Sequence, residues 1–230
     1  MRKPGQLFVI NFKNYMEVSG RNSLKLAKAA EYVAGRSRKE IIVAPPPGSL
    51  AYIANFIRIP VFAQHLDHSA IGNTTGFMVP EIAKSYGISG SLINHSEHRI
   101  PVHIIRDIVL RLHDLKMISV VCARTPQEVK KLATFSPDYI AIEPPELIGS
   151  GIAVSKANPG IITRSIDAVN DVNPDVSVIC GAGIVNREDV SAAVRLGSKG
   201  ILVASGIVKA KNWKTKIHEL ADAMHLNSEG

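Results

Sequence analysis

The sequence predicts an α/β fold, a single eight-stranded parallel (β/α)8 barrel over residues 1–230, from three observations. Eight short apolar runs are each bounded by Gly, Pro, Asn or Ser, as strands are. Amphipathic segments of helical length alternate with them, and strict alternation of strand and helix builds a parallel sheet. The chain has 230 residues, and closed α/β barrels run to roughly 200–250 residues as one unit. No linker or low-complexity tract divides it.

The strand-like runs are Leu7–Phe12, Ile41–Ala44, Val61–Gln64, Gly90–Asn94, Ile118–Ala123, Tyr139–Glu143, Val176–Gly181 and Gly200–Ser205. Between the first two, Ser23–Val33 carries apolar residues at helical spacing, with Gly35 as a stop. After the fourth, Pro101–Leu115 opens with proline in a first-turn position and keeps a Val/Ile/Leu stripe. After the fifth, Thr125–Ala133 begins Thr-Pro-Gln-Glu, a capping box of Thr125 with Glu128. Between strands five and seven the sequence otherwise offers little helical length. Asn186–Leu196 has Asn186 as N-cap and Gly197 as stop, and Trp213–Met224 closes the chain with a helix.

Hydrophobic residues make up 46% of the chain and aromatics 5%, so aliphatic side chains must fill most of the core. The net charge of +7 suits either a nucleic acid or an anionic metabolite. The cations are scattered beyond a short Arg36–Lys39 patch and no aromatics interleave with them, which argues against nucleic acid. Cys122 and Cys180 both lie in apolar runs and read as buried, reduced thiols. No signal peptide is evident, and no run approaches the ~20 apolar residues of a membrane helix. The expectation is a cytoplasmic protein without a membrane partner.

In a parallel barrel, chemistry sits where strands end and loops begin. The first run ends Asn11-Phe12-Lys13, the fourth Asn94-His95-Ser96-Glu97 and the sixth Glu143-Pro144-Pro145-Glu146. The seventh ends Gly181-Ala182-Gly183 and the eighth Ala204-Ser205-Gly206. A cation, an imidazole, a carboxylate and two small-residue loops thus share one rim. A fixed lysine holds an anion and stabilises negative charge developing on oxygen. A desolvated carboxylate removes a proton from carbon. His95 stands between a strand end and a helix start, whose positive end favours the neutral ring. Gly and Ser loops let backbone N–H groups crowd round a phosphate. Taken singly, Lys13 reads as a solvated strand end and His95 as a loop histidine. Glu143 is harder to set aside, because it directly follows the apolar Ile140-Ala141-Ile142.

With these motifs the sequence resembles the triosephosphate isomerase family, in its shorter archaeal-type branch, along the whole chain. The resemblance rests on Asn11-Phe12-Lys13, on Asn94-His95-Ser96-Glu97-His98-Arg99, and on Glu143-Pro144-Pro145-Glu146-Leu147-Ile148-Gly149-Ser150-Gly151. Cys180-Gly181-Ala182-Gly183-Ile184 and Val203-Ala204-Ser205-Gly206 complete it. It implies a TIM barrel that interconverts two triose phosphates in glycolysis and gluconeogenesis, without a cofactor. Glu143 would be the base, His95 the neutral electrophile and Lys13 the cation, roles for which this family is the standard illustration. Asn11 would position Lys13, and Glu97 would support the site, paired with Lys13. Residues 144–153 would form a lid, with Ile148, Gly149 and Gly151 at the substrate. Gly183, Ala204 and Ser205 would complete the phosphate cradle. The loop after strand seven departs from the bacterial and eukaryotic branch, which carries a tyrosine and a serine there to latch the lid. The archaeal-type branch implies a homotetramer over a dimer. The segment His65–Met78 matches a loop that in the family reaches into a neighbouring subunit's site.

Other readings stand beside this one. Lys13 could form a Schiff base in lyase or aldolase chemistry, which leaves the pairing of His95 with Glu143 unexplained. A non-catalytic binder of phosphorylated metabolites would not need all three chemical residues. The pairs His65/His68 and His95/His98 are three apart, but neither brings the three protein ligands of a catalytic zinc, so no metal is expected.

Overall fold

A computed structural model of the protein describes residues 5–37, 39–147, 151 and 153–224. Its strands are β1 (Leu7–Asn11), β2 (Glu40–Ala44), β3 (Phe62–Ala63), β4 (Gly90–Ile93), β5 (Ile118–Ala123), β6 (Tyr139–Ile142), β7 (Ser177–Cys180) and β8 (Gly200–Val203). They form one sheet in the order β2-β1-β8-β7-β6-β5-β4-β3, and every pair is parallel. A bridge between Val43 and Val61, with Val43 N donating to Pro60 O at 3.2 Å, brings β2 against β3 and carries the sheet round into a (β/α)8 barrel. All eight predicted runs are strands, most of them a residue or two shorter than read.

The helices are α1 (Arg21–Ser37), α2 (Leu50–Phe56), α3 (Pro80–Ser85), α4 (Val102–Asp114), α5 (Pro126–Ala133), α6 (Val154–Ala157), α7 (Pro159–Asn170), α8 (Arg187–Arg195), α9 (Ser205–Val208) and α10 (Trp213–Ala223). Four local expectations change. Gly35 is no stop, because α1 runs through it to Ser37. Pro101 caps α4 from outside with extended backbone, and does not sit in its first turn. Thr125 accepts from Glu128 N at 3.2 Å, but the Glu128 carboxylate turns to Arg124 N and Arg99, so only half of that capping box forms. Between β6 and β7, α7 supplies 12 residues of helix where little was expected. Its Pro-Gly start hides a buried stripe of Ile161, Ile162, Ser165 and Val169. Asn186 does cap α8, in a full box with Asp189.

Alternation along each strand decides which residues reach the barrel axis. Leu7, Val9, Ile42, Phe62, Leu92, Val120, Tyr139, Ala141, Ile179 and Leu202 pack together inside. Phe8, Ile10, Ile41, Ile140 and Ile201 belong to the outer layer, under the helices. Both faces are buried, which is why the strands read as unbroken apolar runs. The inward parity gives Asn11 after Val9 at the end of β1, and, just past the ends of β4 and β6, Asn94 after Leu92 and Glu143 after Ala141. The polar residues at the mouth therefore extend the stripes of the barrel interior. No helix among the described residues is long and apolar enough to cross a membrane.

Candidate active site

Lys13 is held in place by its own backbone. It adopts φ 48°, an uncommon conformation outside glycine, and its N–H donates to Asn11 Oδ1 at 2.9 Å. Gln64, just past β3, donates to Lys13 O at 3.1 Å and to Ala44 O at 3.0 Å, which ties the loop to the end of β2. The ammonium then meets Glu97 Oε1 at 2.8 Å. Asn94 also has positive φ, at 62°. Its side chain donates to Cys122 O at 3.0 Å and accepts from Ile100 N at 3.2 Å, while Arg99 donates to its carbonyl and pairs with Glu128. These bonds fix the turn that carries His95.

His95 is 6% exposed, and its Nδ1 accepts the Glu97 backbone N–H at 3.2 Å. A ring nitrogen that accepts a backbone N–H carries no proton, so the proton of this tautomer is on Nε2. Nε2 faces Glu143 Oε2 at 3.6 Å, beyond hydrogen-bond length. The helix start expected next to His95 is not there: α4 begins only at Val102, and the N–H that meets the ring is that of Glu97, in a turn.

Glu143 is 4% exposed, and Oε2 is one of two buried side-chain polar atoms without a hydrogen-bond partner among the described residues. A desolvated, unpaired carboxylate oxygen is costly to keep, and it is what proton abstraction from carbon requires. The buried thiols of Cys122 and Cys180 flank it; burial first, and the Glu143 charge second, push both thiols up, so both stay protonated. The arm of Glu143 lies across Gly181. A Cβ there would come 2.5 Å from Glu143 Cγ and 2.8 Å from Oε1. Gly181→Ala is therefore expected to push the carboxylate aside and cut kcat at least ~10-fold, since a misplacement near 1 Å can cost ~10²-fold. Steady-state kinetics beside a melting curve check that the loss exceeds any loss of stability.

Beside these groups lies an anion-sized pocket. Ala182 and Gly183, with φ 64° and 72°, turn the chain after β7, and Gly183, Ala204 and Ser205 line the pocket with Gly151, Ile184 and Val185. The loops after β7 and β8 meet at Gly206, where a Cβ would come 2.6 Å from Ile184 O. Asn11, Lys13, His95 and Glu143 line the same pocket.

The model of the triosephosphate isomerase family matches residues 6–221. The chain belongs to the triosephosphate isomerase family. It is similar to the triosephosphate isomerase of Methanothermus fervidus, 47% identical over 95% of this chain and 98% of the relative. That of Methanocaldococcus jannaschii is 47% identical over 93% and 98%, and that of Archaeoglobus fulgidus 44% over 96% and 98%.

Within this family member, the structure brings Asn11, Lys13, His95, Glu143, Gly151, Gly183, Ala204 and Ser205 to one pocket, with Glu97 on Lys13. Ile148 and Gly149 lie outside the described residues, as does part of the expected lid at 144–153. Tyr15, Gln64, Gly181 and Val185 were missed. Gln64 ends the third apolar run, and reading the last residue of every run would have found it. The His65 ring stacks on that of His98 with centroids 4.0 Å apart.

Proposed function

We propose that this chain interconverts D-glyceraldehyde 3-phosphate and dihydroxyacetone phosphate through an enediolate, in glycolysis and gluconeogenesis. One observation carries the reading: a buried, unpartnered Glu143 oxygen faces the proton-bearing Nε2 of His95, in a pocket that also holds Lys13. Glu143 takes a proton from the carbon next to the carbonyl. His95 Nε2–H donates to the oxygen on which charge develops, and the Lys13 ammonium opposes that charge. The carboxylic acid so formed returns the proton to the neighbouring carbon, and the hydroxyl proton of the first carbon passes to the former carbonyl oxygen, so no atom is gained or lost. The loops at Gly183 and Ala204-Ser205, with Gly151, receive the phosphate. Asn11 positions Lys13, and Ile148 and Gly149 belong to the lid that keeps the intermediate dry.

The whole chain works as one catalytic barrel in the cytoplasm. Exposed Ile71 and Phe77 in the 65–78 segment, with Phe56, Ile82 and Tyr86, favour self-association, and a homotetramer is the assembly we propose. The deciding experiment follows tritium between water and the C–H of dihydroxyacetone phosphate. The expected result is enzyme-dependent exchange that Glu143→Ala abolishes. Turnover without exchange would refute proton transfer through an enediolate.

A further inference from the structure

We infer that Lys156 and Asp189 form a positioning pair that shapes the anion pocket and neutralises the buried charge behind it. The inference rests on the phosphate-binding role proposed for that pocket.

Asp189 is the third residue of α8, and capping explains only part of what it does. It is 1% exposed. Its Oδ2 accepts from Asn186 N at 3.2 Å, the bond of a capping box, and also from Val185 N at 3.0 Å. Val185 lines the anion pocket, next to Ile184 and Gly183. The carboxylate therefore fixes the end of the loop that turns around the pocket.

The same residue also holds the helix that follows Gly151 in the chain. Lys156 Nζ meets Asp189 Oδ1 at 2.6 Å, and the neighbouring Ser155 Oγ donates to Asp189 O at 3.1 Å. Two consecutive residues of α6 thus reach one residue of α8. Gly151, which lines the pocket, lies three residues before α6 begins. One residue thus joins Val185, which lines the pocket, to the helix that follows Gly151.

The charge needs the lysine. An ionised carboxylate buried behind an anion pocket repels the anion unless it is paired. Its field reaches inward, since Asp189 helps push the Cys180 thiol up. Lys156 is half-exposed, so it offsets this charge without itself being buried, and the carboxylate raises its affinity for its proton. A surface lysine held only by chance would touch an exposed carboxylate, with little effect on anything else.

The test uses Lys156→Met and Lys156→Arg in the full chain. Calorimetric titration with inorganic phosphate measures the pocket directly. Kinetics with glyceraldehyde 3-phosphate and with glyceraldehyde, which lacks the phosphate, separate the pocket from the proton-transfer groups. Lys156→Met is expected to weaken phosphate binding and raise KM for the phosphorylated substrate about tenfold, well below the ~10³-fold of an unpaired charge in direct contact at an effective dielectric of about 20. Turnover of glyceraldehyde should stay within about twofold, and Lys156→Arg should restore phosphate binding. Unchanged phosphate affinity in Lys156→Met overturns the inference. So does an equal loss with glyceraldehyde, which marks a general structural role. A parent chain that binds phosphate without isomerising its ester would defeat the proposed function, and the titration would still decide the role of Lys156.

Discussion

Glu143→Asp is expected to bind substrate with nearly unchanged KM and to lose at least ~10²-fold in kcat, because its carboxylate stands back by about one carbon–carbon bond. The reason lies in how the longer side chain is placed. Glu143 N continues the ladder of β6 by donating to Ala123 O at 2.8 Å, so its backbone cannot move forward to compensate. Its arm crosses the space left by Gly181, and Oε2 projects toward His95 Nε2. An aspartate in the same backbone reaches neither point. Glu143→Ala should fall further, by the ~10²–10⁴-fold that a positioned base contributes. Steady-state kinetics on the purified variants check both, with the proton-exchange assay to show which step failed. Equal rates for glutamate and aspartate would remove Glu143 as the base.

The barrel was legible because each strand is buried on both faces, so its residues are apolar without interruption and its ends are marked by polar residues. Asn11, Lys13, His95 and Glu143 were legible for the same reason: a polar residue that ends an apolar run lies at the mouth of a parallel barrel. What escaped is what depends on two distant segments. Gly35 resembles a helix stop, but the packing of α1 against α10 carries the helix past it. Gly181 reads as one more turn glycine until the arm of Glu143 is laid across it. Glu128 sits three residues after Thr125 as a capping box demands, yet Arg99 from the preceding βα loop takes its carboxylate. Lys156 and Asp189 are 33 residues apart and belong to no motif, so no spacing rule connects them. Local patterns name the candidates, and tertiary contacts decide what each one holds.

Lys13→Met is expected to lower kcat by ~10²–10³-fold, the usual cost of removing a group aimed at a developing oxyanion, and to raise KM as well. Both parameters should move because the ammonium attracts the substrate's charge in the ground state and opposes the enediolate in the transition state. The loss has a second component. Lys13 is paired with Glu97, whose side chain is 58% exposed while that of Lys13 is 15% exposed, so the lysine is the more enclosed partner. Removing it leaves the Glu97 carboxylate beside an anionic substrate with nothing to offset it. Lys13→Arg should recover little, because a planar fork does not fit a position set by the Asn11 bond and the Gln64 clamp. A double-mutant cycle with Glu97→Gln separates the two components. If Glu97 acts only by holding Lys13, Glu97→Gln slows the parent enzyme and has no effect once Lys13 is gone. If the unpaired carboxylate repels the substrate, Glu97→Gln partly restores the Lys13→Met enzyme. An equal loss in both backgrounds would mean that Glu97 works on its own, through the side-chain oxygen Oε2 that lies 3.7 Å from His95 Nδ1.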